Sequence, residues 1–388
     1  MLGVPIDARF VVAGDATNPT QPSMTHGAWL EGRRAADWAA AFASPGERVV
    51  VIGAGFAGLG AAGALRARDV DVVVLEARNR LGGRAHTVQL GDTMVDVGAA
   101  WLQQLPQNPL ARLADSIGLA TVPTDFNAPL AAAADGAPAD VAAALLALAA
   151  HLETAPSTAS LADVLPGYLN GLSAADRRAA QHAIDVDVDL ENGAPFAELS
   201  ARRVLSEPGV GDGDAWLPDG YVGLIDHLAA ELDIRLEHEV RAVRWGAAGV
   251  TVSAFDAAGR AVEFEATRCI CTVPVWLLAD IELHPGLPAT HRRALADLAV
   301  CVVHKVVLQY PRRWWPCNVT GNNYLRWYDS PVNWGEWLDL SDHAGTPTVA
   351  GLIAGDAVRR EHDGRHDDAV IAAAHACFVR WAAAVPPA

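Results

Sequence analysis

Cysteine is scarce in this chain, with five residues, scattered and odd in number, among 388. Such a set makes no disulfide framework and fits reduced thiols in a cytosol. Cys269 and Cys271 alternate within an apolar stretch, so they read as small buried hydrophobes facing one way; a metal pair would need further Cys or His ligands nearby, and no metal site is expected. Long apolar runs are also lacking. The Ala-rich stretch 141–150 falls well short of the ~20 residues that cross a bilayer, and the N-terminus has no basic region followed by an apolar run and a cleavage site. A cytoplasmic protein without a membrane partner is the expectation. Positive charge is the third deficit. With 46 Asp and Glu against 29 Lys and Arg, the formal charge is -17, which disfavours nucleic acid, whose phosphates need a basic footprint. The same balance permits a cationic substrate without demanding one.

Half of the residues are apolar, and the length suffices for two domains with buried cores. The strongest positive signal lies in residues 48–87. Arg48 to Ile52 is a short β-branched run, Gly53-x-Gly55-x-x-Gly58 follows at once, an Ala/Leu helix continues to about Arg68, and Val70 to Leu75 is a second buried strand. That is a βαβ unit. Gly53 allows the tight turn, Gly55 lets the backbone approach a pyrophosphate, and Gly58 lets helix and strand pack closely. Glu76 ends the second strand where a carboxylate can accept hydrogen bonds from a ribose. Leu81-Gly82-Gly83-Arg84 then adds a second glycine pair and a guanidinium placed for a second phosphate or the flavin side of a dinucleotide.

The pattern Glu76 to Thr87, ExxxRLGGRxxT, resembles the flavin-dependent amine oxidase family, which includes monoamine oxidases, polyamine oxidases and lysine-specific histone demethylases. Other stretches agree with it. Asp96-Val-Gly98-Ala99-Ala100-Trp101 resembles the segment passing the isoalloxazine ring, and Pro195 to Tyr221 the stretch leading back into the FAD domain. Leu224 to Val240 resembles the helix and strand that end at a backbone contact with adenine, with Cys271 to Pro274 close by. His304-Lys305 and the following residues resemble the strand whose lysine holds a water against the reactive ring nitrogen. The resemblance implies FAD as cofactor, with Gly53, Gly55, Gly58, Glu76, Arg78, Gly83, Arg84, Gly98, Ala99, Ala100, Trp101 and Val240 around it and Lys305 as the catalytic residue.

Residues 10–42 resemble the family's last FAD motif, which normally stands at the C-terminus. There Gly14 and Asp15 would meet the ribityl chain, and the helix opening near Met24 and Thr25 would aim its N-terminus at the pyrimidine end of the flavin, where free N–H groups stabilise negative charge. The expected order is therefore circularly permuted, a cheap join where old termini lie close together. The family segment with a Trp, an Asp-Pro and a Gly-Ser-Tyr has no counterpart between Ala382–Ala388 and Met1–Arg9. A trimmed chain, a more open pocket, or a wall supplied by a second subunit or homo-oligomer is expected. The family's covalent cysteine belongs to that segment, so FAD is expected to be non-covalent. One aromatic-cage position maps onto Met24, which is not aromatic.

The fold expected is α/β, with a Rossmann-type FAD-binding domain from 1–105 and 212–285 and an α+β substrate domain with a mixed sheet from 106–211 and 286–388. Trp314, Trp315, Trp327, Tyr328, Trp334 and Trp337 crowd one region, mostly as sheet packing. Trp337 is the one expected to line the substrate site, with Glu336 on the opposite face as a solvated or hydrogen-bonded charge. His26 reads either as a ring neighbour or as a helix-start histidine satisfied by backbone, and His362 and His366 as surface residues. The expected reaction takes a hydride equivalent from the carbon next to an amine nitrogen; the imine is hydrolysed and oxygen becomes hydrogen peroxide. The partners are then a small amine and oxygen. Alternatives are an FAD oxidase of an amino acid or biosynthetic intermediate, for which Arg326 is the candidate carboxylate binder, and a flavin-binding non-catalytic subunit.

Overall fold

A computed structural model describes residues 2–42, 46–136, 138–205, 213–318, 321–329, 334–362 and 364–385. The chain divides into two units, Met1–Val88 with Met94–Thr121 and Asp219–Leu298, and Gln89–Thr93 with Val122–Pro218 and Ala299–Ala388. The helices Pro109–Ser116 and Ala289–Ala296 fall in the first unit. Both had been expected in the second domain, but their sequences carry no mark of which core they join.

In the first unit β1 (Phe10–Val12), β2 (Arg48–Ile52) and β3 (Asp71–Leu75) join the strands Arg268–Cys271 and Asp233–Arg235 in one sheet. The order is β1, Arg268–Cys271, β2, β3, Asp233–Arg235, and every pairing is parallel. A parallel sheet is covered on both faces, which explains why these strands read as continuous Val and Ile. Phe10, Val12, Val50 and Ile52 face a four-stranded sheet bearing Val240, Val243 and Trp245, with Phe10 stacked on Trp245 at 4.8 Å. Val11, Val49 and Val51 face the opposite way, onto the alanines of α1 (Thr25–Ala40) and α2 (Phe56–Arg66).

The two helices cross closely because glycine permits it. A Cβ on Gly32 of α1 would stand 1.9 Å from the Ala57 carbonyl oxygen, and one on Gly60 of α2 would stand 2.6 Å from that of Trp29. Arg268, buried at the start of its strand, donates to the Phe42 carbonyl at 2.8 Å and pairs with Glu47 at 3.4 Å, pinning both ends of the link from α1 to β2.

The second unit holds a five-stranded mixed sheet in the order Val303–Gln309, Thr348–Ala354, Glu336–Asp339, Tyr324–Tyr328, Leu130–Ala133, antiparallel except for the last pair. The helix Asp367–Ala384 covers one face of it through Phe378 and Trp381, against Trp315, Trp327, Trp334 and Trp337. Helices Val141–Glu153, Leu161–Asn170 and Ala174–Ala183 pack separately, and the last runs into a π-helical turn, Ile184–Leu190. Such turns are rare and often stand at functional sites.

Candidate cofactor cradle and charged sheet face

The turn after β2 is built by three glycines with different jobs. Gly53 has φ 98, a left-handed value that favours glycine, and its N–H donates to the Leu75 carbonyl at 2.8 Å. A Cβ on Gly58 would lie 1.8 Å from the Gly53 carbonyl oxygen, so Gly58 is fixed by internal packing. Gly55 is different. A Cβ there would meet no protein atom nearer than 3.8 Å, so nothing within the chain requires a glycine, whereas a phosphate resting on the backbone would. The carboxylate of Glu76, buried at the end of β3, accepts from the Ala54 N–H at 2.8 Å and the Arg78 N–H at 2.9 Å, which fixes the acid beside the turn.

The second glycine pair folds back on the first. Gly82 donates to the Ala54 carbonyl at 2.9 Å, and a Cβ on Gly83 would lie 3.2 Å from the Gly55 Cα. Arg84 follows at once. Its Nη1 donates to Asp15 Oδ2 at 3.0 Å and its Nη2 to Asp15 Oδ1, tying this turn to the segment after β1. Arg80 sits near Arg78, and both its partial burial and that neighbouring charge lower its pKa; burial, Arg80 and Arg78 lower that of His86. On a chain of charge -17, this group of cations beside an open glycine turn favours an anionic ligand.

Two further elements complete the cradle. The N-cap of α1 is Met24, whose side chain caps nothing, so the first amides, beginning at Thr25, are left to donate to an anion. Thr25 Oγ1 lies 3.2 Å from the Tyr221 hydroxyl, which donates to the Trp101 carbonyl at 2.6 Å. Asp96 Oδ1 accepts from Thr87 Oγ1 at 2.6 Å and the Tyr221 N–H at 3.1 Å. Gly98 lies so close to Arg84 that a Cβ would be 2.0 Å from its carbonyl, and Ala99 N–H donates to that same carbonyl at 3.2 Å. Gly14 has open space where a Cβ would be. Val240 is buried where the register of its strand shifts before Ala242. Of the residues named from the sequence in this unit, Glu76, Arg78, Gly83, Arg84 and Asp15 are tied to the glycine turns directly or through one another, Gly98 and Ala99 meet the Arg84 carbonyl, Thr25 and Trp101 meet at Tyr221, and Val240 stands on the second sheet. A dinucleotide fits them: an open Gly55, surrounding cations, a fixed acid and an uncapped helix start. His26 is buried and meets the Gln104 side chain at 3.2 Å rather than backbone, and burial lowers its pKa.

In the second unit Lys305 stands on the edge strand Val303–Gln309, opposite Leu352. Leu352 also pairs with Glu336, and Glu336 with Arg326. Residues in such a row share one face of a sheet, so Lys305, Glu336 and Arg326 do. Trp337 lies on the other face, fully buried, donating from Nε1 to the Trp334 carbonyl at 2.9 Å and packed on Phe378. The substrate-lining expectation for Trp337 is corrected by this, and so is the solvated reading of Glu336, which is 7% exposed. Strand alternation separates the two residues but does not say which face the helix Asp367–Ala384 covers. His362 is also not a plain surface residue, since its ring meets His304 edge-on at 4.2 Å.

Around Glu336 the charges are closely balanced. Arg326 donates to the Tyr324 hydroxyl at 2.8 Å, lies 3.4 Å from Asp187 of the π-helical turn, and 3.8 Å from Glu336. Burial pushes Glu336 up to about 7 against the pull of Arg326, and raises Asp187 as well. Sequence reading missed this cluster. One signal was nevertheless available for the face: of 29 Lys and Arg, Lys305 is the only lysine. A chain that uses Arg at every other cationic position keeps, here alone, a compact ammonium with three rotatable donors.

The chain matches the family described as flavin containing amine oxidoreductase over residues 56–207 and 188–386, most of its length; the stretch before Phe56 lies outside the match. It is 29% identical to polyamine oxidase 4 of Oryza sativa subsp. japonica over 334 residues, 79% of this chain and 67% of that protein. It is also 29% identical to lysine-specific histone demethylase 1 homolog 1 of Arabidopsis thaliana over 342 residues, 80% of this chain but only 40% of the demethylase. The chain thus spans about two fifths of that larger relative. Among solved structures, wild-type putrescine oxidase bound to putrescine shares the fold with a TM-score of 0.68 at 22% identity, covering 87% of this chain and 81% of the other. The chain belongs to the flavin-containing amine oxidoreductases, enzymes that use FAD to oxidise amines.

Proposed function

We propose that this chain holds FAD non-covalently in the glycine cradle of its first unit and oxidises a small cationic amine. The overall balance is amine, oxygen and water in, with carbonyl compound, ammonia or a shorter amine, and hydrogen peroxide out. FAD, when bound, supplies the acceptor for the hydride equivalent leaving the carbon next to nitrogen. The protein's own part is binding and orientation. In this reading the turn made by Gly53 and packed through Gly58 exposes the Gly55 backbone to the pyrophosphate, Glu76 accepts from a ribose, and Arg84, fixed by Asp15, donates to phosphate. Gly14 and Asp15 flank the ribityl chain, and the start of α1 at Met24 and Thr25 presents free amides to the pyrimidine end. Gly98, Ala99, Ala100 and Trp101 wall the ring, and Val240 meets the adenine. Lys305 holds a water through Nζ, and that water gives its oxygen to the carbonyl product.

One observation carries the choice of an amine over an amino acid. Arg326, the guanidinium that would bind a substrate carboxylate, already faces Asp187 and Glu336 and is hydrogen-bonded to Tyr324. The guanidinium is thus committed to acids and a hydroxyl of this chain and is not left open to a substrate carboxylate. The structural pairing of β1 beside Arg268–Cys271, the crossing of α1 and α2, and the Asp15–Arg84 pair support the circularly permuted order as part of the proposal. Five free cysteines support a cytoplasmic setting, and sizing the purified protein tests whether a second copy completes the substrate pocket. Peroxide release from a panel of monoamines, diamines, polyamines and amino acids tests the activity. Turnover with amines is expected, and turnover confined to amino acids would replace this reading with the Arg326 alternative.

A further inference from the structure

An exposed tryptophan stands beside the glycine turns. Trp276 belongs to the turn Val275–Asp280 and is 43% exposed. Its segment is anchored to the first glycine turn, because Thr272 Oγ1 donates to the Ile52 carbonyl at 2.7 Å and the Gly53 carbonyl at 3.2 Å. The Arg84 guanidinium lies over its ring, 5.4 Å from the centroid. Arg84 is thereby fixed twice, by the Asp15 carboxylate at its two Nη atoms and by the indole on one face. The side chain is still 55% exposed. Its Nε–H and the remaining Nη hydrogens are therefore not spent on Asp15. A long flexible cation held in this way loses little freedom when it meets an anion, and that is where affinity is gained.

We propose that Trp276 is a positioning residue for the dinucleotide: by covering one face of Arg84 it aims the uncommitted guanidinium donors at the pyrophosphate. The inference rests on the FAD reading above. Arg84 is one residue from Gly83, the point of closest approach to the open Gly55, so an anion cradled at Gly55 comes within reach of a guanidinium held in place and not of one free to swing. The indole serves through its π face, not through its N–H.

The test is FAD release from diluted holoenzyme, followed by recovery of free flavin fluorescence, with the unfolding midpoint measured in parallel. Trp276→Ala is expected to release FAD about 3- to 10-fold faster, and Trp276→Phe, which keeps a π face, by about twofold or less, both with unfolding midpoints near the wild type because the side chain is half exposed. In an Arg84→Ala background the Trp276→Ala effect is expected to vanish. Release at the wild-type rate from Trp276→Ala, an equal loss in Trp276→Phe, or an undiminished Trp276→Ala effect without Arg84 would each overturn the proposal. A wild-type protein that holds no FAD would overturn the cofactor reading itself, and this inference with it.

Discussion

Gly55 and Gly58 stand three positions apart in one motif, yet their substitutions are expected to fail differently. Alanine at Gly58 drives a Cβ to within 1.8 Å of the Gly53 carbonyl, whereas alanine at Gly55 meets no protein atom nearer than 3.8 Å. Gly58→Ala should lower the unfolding midpoint, at about 1–3 kcal/mol or more. Gly55→Ala should fold normally and lose flavin, read as the ratio of bound flavin to protein. Lys305→Met should retain flavin while slowing turnover at least tenfold, and normal turnover would remove Lys305 from the mechanism. Asp189 tests the electrostatics of the second unit. It is buried against Gly355, and burial raises it from the ordinary 3.8 to about 6, with the Arg360 charge opposing and Asp356 acting both ways, its charge raising and its backbone hydrogen bond lowering. Because the folded pKa is the higher one, its stabilising contribution is complete below pH 3.8 and is lost as pH rises through about 6. Urea unfolding at pH 4 and pH 8 should therefore show Asp189→Asn more stable than wild type only at the higher pH, by about 2 kcal/mol.

At the scale of elements, the crossing of α1 and α2 offers a paired test. Gly32→Ala presses a Cβ to 1.9 Å from the Ala57 carbonyl and should destabilise by about 1–3 kcal/mol. Gly63→Ala on the same α2 meets nothing within 4 Å and should stabilise by about 0.5–1 kcal/mol. Equal effects in thermal unfolding would contradict the packing described. The helices and strands of the βαβ unit were legible because period and punctuation are local: a β-branched run, a glycine turn, an Ala/Leu stretch. Helix ends shifted by a few residues, Arg66 instead of about Arg68. The faces of the second sheet were not legible. Trp337 proves to lie under the helix Asp367–Ala384 because face assignment depends on which side a distant helix covers, and the Arg326–Asp187 contact depends on a π-helical turn that no sequence period announces.

At the scale of the molecule, the glycine cradle and its acid were readable because each motif residue acts through its neighbours in sequence. Arg84–Asp15 was not readable, since its partners are separated by 69 positions and meet only when β1 joins the sheet edge. Nor does the sequence say where the helices Pro109–Ser116 and Ala289–Ala296 pack, because a helix pattern shows an apolar face without naming the core it joins; both fall in the first unit. Cations gather around the open glycine turn in one unit, and Glu336 and Asp187 meet Arg326 on the face of the only lysine in the other. The most direct measurement of this account is the visible absorption of the purified protein before and after acid precipitation. A yellow protein whose colour passes into the supernatant as free FAD is expected. A colourless protein that takes up no added FAD would contradict it.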